Sequence, residues 1–159
     1  MGFQLVKVVA GPTPGSADGW SKHFFYETGT PDGGMLAFWE IDDDQIGRDF
    51  EVDLNRAAGL PWWVNHFAFD APTLEALHER RDHWRRCGHT VLEVDHEFCV
   101  SVYLRDPNGN MVEFCHTRRP FTDDERARAA SVLSAAGRPA FDAEAVPAVW
   151  TPLSGGATV

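Results

Sequence analysis

The hydrophobic and polar positions of this chain read mostly as strands, with two helices set among them. Residues 3–10 read as a strand, and residues 11–19, with two prolines and three glycines, as a loop. Residues 22–28 and 35–41 are strands on either side of a turn at Thr30-Pro31-Asp32-Gly33-Gly34. Residues 42–59 are acidic, irregular and linker-like, and residues 62–69 return to a strand. Thr73 then stands where a helix N-cap belongs. The helix over 74–87 gathers Leu74, Leu77, Trp84 and Cys87 on one side, with arginines and glutamates elsewhere, and Gly88 stops it. A strand begins over 90–94, and strands over 99–104 and 110–116 are joined by Asp106-Pro107-Asn108-Gly109. There proline pre-sets φ and Asn-Gly tolerates the left-handed region, so the chain reverses. Thr122-Asp123-Asp124-Glu125 has the form of a capping box and predicts a helix to about residue 136. The segment after Gly137, with Pro139, Pro147 and Pro152, is expected to be irregular.

This order predicts an α+β fold in three parts. Residues 61–120 carry a complete β-α-β-β-β series, residues 1–60 carry three strands and a linker, and residues 121–159 carry a helix and tail. At 159 residues the chain is one domain, or two small similar modules sharing a core. Its hydrophobic content of 43% suffices for a globular fold. A net charge of −10 argues against a nucleic-acid partner, which would need a basic stripe. No apolar run is long enough to span a bilayer, and no signal peptide is evident, so no membrane partner is expected. Cys87, Cys99 and Cys115 show no CxxC spacing, which fits reduced thiols and a cytoplasmic setting.

The candidate chemistry concentrates between Val94 and Glu113, where His96, Tyr103 and Glu113 lie around the tight turn. Strand alternation puts Met111, Glu113 and Cys115 on one face and Val112 and Phe114 on the other. A glutamate among apolar residues is costly to bury unless its charge is compensated, and a metal ion is one such partner. His66 sits in the strand Val64-Asn65-His66-Phe67-Ala68-Phe69. Taken alone, such a histidine is more often a hydrogen-bonded core residue than a ligand. Taken alone, Tyr103 is a core aromatic and His96 a loop histidine. Glu40 ends its strand beside Asp42, Asp43 and Asp44 and reads as solvent-facing. His23 is a weaker ligand candidate. His78, His83 and His89 read as solvated, and His116, three residues beyond Glu113, reads onto the opposite face.

The stretch has a recognisable form: His96, a short gap, Val102-Tyr103, two residues, Asp106-Pro107-Asn108-Gly109, then Glu113, ten residues after the tyrosine. It resembles the vicinal oxygen chelate superfamily, which includes glyoxalases, fosfomycin- and bleomycin-resistance proteins and extradiol ring-cleaving dioxygenases, and within it the dioxygenase signature. The resemblance covers roughly residues 23–120. It implies paired βαβββ modules forming a curved, partly closed mixed sheet, the first module here lacking its opening β-α element. That element carries the family's first metal ligand, usually a histidine. The resemblance further implies a site of two histidines and one carboxylate, of which this chain has His66 and Glu113, the arrangement of non-haem Fe(II) oxygenases. Glu40 lies near the position of a glyoxalase glutamate ligand and is a tentative third. His96 and Tyr103 match groups that hydrogen-bond substrate. The implied cofactor is a divalent metal, Fe(II) foremost, with Mn(II), Zn(II) and Ni(II) open. The implied partners are a catechol-like small molecule and a second copy in a homodimer. Two other readings stay open: a glyoxalase-like lyase or isomerase, and a metal-free small-molecule-binding protein of the resistance type with Trp20, Trp39, Trp62 and Trp63 lining a cleft.

Overall fold

The computed structural model describes residues 1–30, 33–47, 49–141 and 145–153. The chain is α+β and divides into two compact units, Met1–Asn65 with Asp106–Asn110, and His66–Arg105 with Met111–Val159.

The first unit is an antiparallel meander of β1 (Gln4–Pro12), β2 (Trp20–Glu27) and β3 (Met35–Asp42), followed by a single helical turn, α1 (Leu54–Ala57). Within the expected turn at residues 30–34, Pro31 and Asp32 lie outside the described residues, and Thr28 N–H donates to Gly34 O at 3.1 Å across it. The described residues of the 42–59 segment form more local contacts than the linker their composition suggests. Asp43 is buried, and its Oδ1 accepts from the N–H of Gln45 at 2.8 Å and Ile46 at 3.1 Å. A Cβ on Gly19 would overlap the Asp43 carboxylate, so this close approach needs glycine. Asp53 caps α1. Asn55 donates to Trp62 O at 2.9 Å and Asn65 O at 2.8 Å and accepts from Asn65 N–H at 2.8 Å. The Asp106–Asn110 turn closes as its residues dictate, with Gly109 at φ +93° and Asp106 Oδ1 accepting from the N–H of Asn108 and Asn110. Asn110 then bridges Val52 O and Leu54 N–H. These are local polar contacts with no hydrophobic period, which is why composition alone reads the segment as linker.

The second unit holds β4 (His66–Asp70), α2 (Leu74–Arg86), β5 (Val91–Asp95), β6 (Cys99–Arg105), β7 (Met111–Thr117), α3 (Asp123–Ser134) and β8 (Val146–Trp150). Its sheet runs β4-β7-β6-β5-β8, with β4 parallel to β7 and the other pairs antiparallel. β4 is shorter than expected, because Trp62 and Trp63 lie in a turn before it. Thr73 caps α2 as its position implies, accepting from Ala76 N–H at 3.1 Å. Leu77 and Trp84 of α2 are almost fully buried, and Trp84 packs on Phe114 with ring centroids 5.5 Å apart. Arg81 departs from the expected exposed arginine face. It is buried, donates to Glu93 and Asp82 at 3.0 Å each, and stacks on the Trp150 ring at 4.1 Å.

Trp150 belongs to β8, which corrects the expectation of an irregular segment after Gly137. Val146–Trp150 pairs with β5 from Asp95↔Val146 to Val91↔Trp150. Pro147 is tolerated because β8 is an edge strand, where one missing N–H costs the ladder little. α3 starts with the full capping box of Thr122 and Glu125 and ends at Ser134, two residues sooner than expected. Residues 142–144 and 154–159 of the expected tail lie outside the described residues. Among the described residues no helix is long and apolar enough to cross a membrane.

Candidate functional site

Four of the five residues singled out from sequence meet on one face of the second unit's sheet. Tyr103 on β6 stands directly across from Glu113 on β7. His66 pairs with Met111, two places before Glu113 on the same face. His66 Nε2 lies 3.0 Å from Glu113 Oε2, and Tyr103 Oη donates to Glu113 Oε1 at 3.2 Å. His96, one residue past β5, places Nε2 3.2 Å from Tyr103 Oη. Proton counting fixes the directions. A carboxylate only accepts, so His66 Nε2 carries a hydrogen. The phenol's single proton goes to Glu113, so His96 Nε2–H donates to Tyr103. The result is one chain: His96 to Tyr103 to Glu113, with His66 closing the other carboxylate oxygen.

Glu113 is buried, and these two donors supply the compensation its burial requires. His66 is about a third exposed, its side chain at 37%. Burial first, then the negative charge of Glu113, push the Tyr103 phenol above its ordinary range, so Tyr103 stays a neutral donor at neutral pH. Nearby on β6, burial and then the neighbouring Cys115 push the Cys99 thiol up to about 12, which keeps it an unreactive thiol.

The turn that carries His96 is held from outside itself. Glu97 adopts φ +73°, a region non-glycine residues rarely occupy. Its N–H donates to Asp95 Oδ1 at 2.9 Å, and its carboxylate pairs with Arg119. Arg118 grips both oxygens of Asp95 at 2.9 Å and donates its N–H to Phe98 O. Sequence reasoning missed Asp95, Glu97, Arg118 and Arg119 as supports for His96. Twenty residues separate the two sides of this clamp, and no local pattern announces such pairing.

The donor set at Glu113 offers a metal two positions. Two ligands each about 2.1 Å from a metal at a right angle stand about 3 Å apart. The 3.0 Å gap from His66 Nε2 to Glu113 Oε2 therefore suits adjacent ligation as well as a hydrogen bond. The fit covers two positions. Among the described residues no group of three or more His, Cys, Asp or Glu side chains is arranged to hold an ion. Glu40, the tentative third ligand, belongs to the first unit, where its carboxylate is half exposed and 2.9 Å from Lys22 Nζ. His23, also in the first unit, stacks on Trp39 with centroids 4.0 Å apart. His116 Nδ1 bonds Ala71 O at 3.0 Å, away from the chain at Glu113. Comparison with protein-family models, with curated proteins and with solved structures yields no match for this chain.

Proposed function

We propose that this protein belongs to the vicinal oxygen chelate superfamily and is a metal-dependent enzyme, an extradiol-type dioxygenase acting on a catechol-like aromatic with Fe(II). The observation that supports this reading is the convergence of His66, Glu113, Tyr103 and His96 into one hydrogen-bonded chain, since these residues are the motif. In this reading His66 Nε2 and Glu113 Oε2 are the two protein ligands, and Mn(II), Zn(II) or Ni(II) are the other ions the donors accept. A divalent ion bound there supplies polarisation of two adjacent oxygens of one substrate. The chain's own residues do the rest. Tyr103, held neutral, would turn its single proton from Glu113 Oε1 to a substrate oxygen bound beside that carboxylate. His96 holds a proton on Nε2 and presents Nδ1 as a base, so it can take a hydroxyl proton at one nitrogen while supplying Tyr103 from the other. The same reading carries the paired, partly closed βαβββ modules, a cytoplasmic setting and a homodimer.

Metal analysis and oxygen uptake test it. His66→Ala and Glu113→Ala should each lose most bound metal with the fold intact. Equal metal in wild type and both variants would remove the site. With Fe(II) under reducing conditions, oxygen consumption across a catechol panel is expected, and Tyr103→Phe should lower turnover on the order of 10²-fold while changing metal content little. The glyoxalase-like alternative requires Glu40 to leave Lys22, and activity only toward a glutathione hemithioacetal would favour it. One observation favours the metal-free binding protein instead: both oxygens of Glu113 already have donors, so its burial is compensated without an ion. Tight binding of an aromatic compound by metal-free protein, with neither activity, would establish that reading.

A further inference from the structure

The second unit contains a cavity of about 1310 Å³ between the 95–98 turn, α3 and the start of β8. That exceeds the roughly 300–1,000 Å³ of most small-molecule pockets. Its apolar wall is Phe98, Phe121, Ala129, Val132, Leu133 and Val146. On α3 the positions 125, 129, 132 and 133 share one helical face. Yet α3 buries no residue, and Leu133 is 88% exposed. This stripe therefore faces open space in the single chain.

Three features of the lining identify an occupant. Three rings follow one another along one side, His96 to Phe98 at 6.2 Å and Phe98 to Phe121 at 5.2 Å between centroids. Such a run offers faces and edges to another aromatic ring. The rim acids are each paired, Asp95 with Arg118, and Glu97 and Glu125 with Arg119, so no free carboxylate draws a cation, while Arg126 and Arg128 make an anion the competing occupant. Finally, His96 lines the cavity, and its Nδ1 has no hydrogen-bond partner among the described residues. Because Nε2–H is given to Tyr103, Nδ1 is an acceptor awaiting an O–H.

We propose that this cavity binds a neutral aromatic compound of two or more fused rings bearing a hydroxyl, its rings on Phe98 and Phe121 and its O–H donated to His96 Nδ1. The site is reached at the His96 end of the chain and uses α3, which lies beyond the span of the family resemblance. It extends the role given to His96 under the reading above but needs no metal, so the two can fail separately.

The probe is 2-naphthol, titrated calorimetrically into protein dialysed against chelator, with naphthalene and 2-naphthoate as controls. Arg126 and Arg128 also line the cavity, so the carboxylate control is a real alternative. The expected order is 2-naphthol tighter than naphthalene and tighter than 2-naphthoate. Phe98→Ala should weaken binding about tenfold, the scale of one well-packed aromatic contact. Phe121→Ala should weaken binding by a similar factor. His96→Phe should reduce the preference for 2-naphthol over naphthalene to near unity, a change that a merely structural role would not produce. The proposal is overturned if 2-naphthol does not bind, if 2-naphthoate binds tightest, or if Phe98→Ala and Phe121→Ala both bind as wild type does. It is also overturned if light scattering shows a dimer that Leu133→Asp dissociates and neither form binds 2-naphthol, since a second copy is then the occupant.

Discussion

In the second unit Leu77, Trp84, Val91, Val102 and Phe114 are almost completely shielded from water, whereas in the first unit Leu5, Val6, Val8 and Val9 along β1 keep 39–51% of their surface. Both regions are strands rich in β-branched and aromatic residues. The difference lies in what packs on them. α2 lays Leu77 and Trp84 across one face of the second sheet and gives it a second layer. Among the described residues, every nearly buried apolar side chain belongs to that unit. The buried residues of the first unit are Thr13, Ser21, Asp43, Asp53, Asn55 and Asn110, all polar. One region is held by apolar contact, the other by hydrogen bonds that pin its loops. The candidate site sits in the region with the core, where a buried carboxylate has fixed neighbours.

Truncation of the core should break this contrast most forcefully. Phe114→Ala or Trp84→Ala should cost about 3–5 kcal/mol in urea denaturation. Val8→Ala or Val9→Ala, at exposed positions, should cost about 0.5 kcal/mol or less. Similar losses in both units would mean that β1 is covered in solution.

Next in size is Asn55→Ala, which leaves the Trp62 and Asn65 carbonyls and the Asn65 N–H without their partner. A cost of about 1–3 kcal/mol is expected for such orphaned groups. Hydrogen exchange should localise it, with faster exchange at Asn65 and no change at the α2 amides near Trp84. Uniformly faster exchange would show the two units to be one cooperative body.

The smallest effect sharpens the border between core and surface. Thr122→Ala removes the α3 cap and should cost about 1 kcal/mol, read as lost helical signal. Acid should act at the same place. The Arg119 guanidinium, then the Thr122 N–H, hold the Glu125 carboxyl down at about 2, against an ordinary 4.5. A depressed carboxylate stabilises the fold above its unfolded value and loses that contribution as pH falls, here between about 4.5 and about 2. The Glu97 N–H, then Arg118, likewise hold Asp95 below its ordinary range. The His96 turn and the start of α3 should therefore loosen together in acid, seen as joint chemical-shift changes at Glu97 and Glu125. Independent midpoints would separate the clamp from the helix.

Local signals made much of this molecule legible. Asp106-Pro107-Asn108-Gly109 forms a turn from its own backbone preferences, and Thr73 and Thr122 cap helices because a hydroxyl three residues before a free N–H finds it without help from the rest of the chain. Strand alternation put Met111, Glu113 and Cys115 on one face of β7, and the turn before it then sets Tyr103 directly across from Glu113. What was illegible depends on partners far along the chain. Arg81 looks like a surface charge until Glu93 and Trp150 enclose it. β8 is strand only because β5 offers it an unpaired edge, and its Pro147 argues against a strand until that edge is known.

The sequence by itself determined the reversals, the caps and the two faces of β7, because each rests on preferences within a few residues. Only the tertiary structure decided which sheet gained a core, how the 118–119 arginines hold the turn behind His96, and that α3 and β8 wall a cavity there. Those outcomes depend on contacts between segments twenty or more residues apart, where burial and charge pairing select the partner and no local preference does.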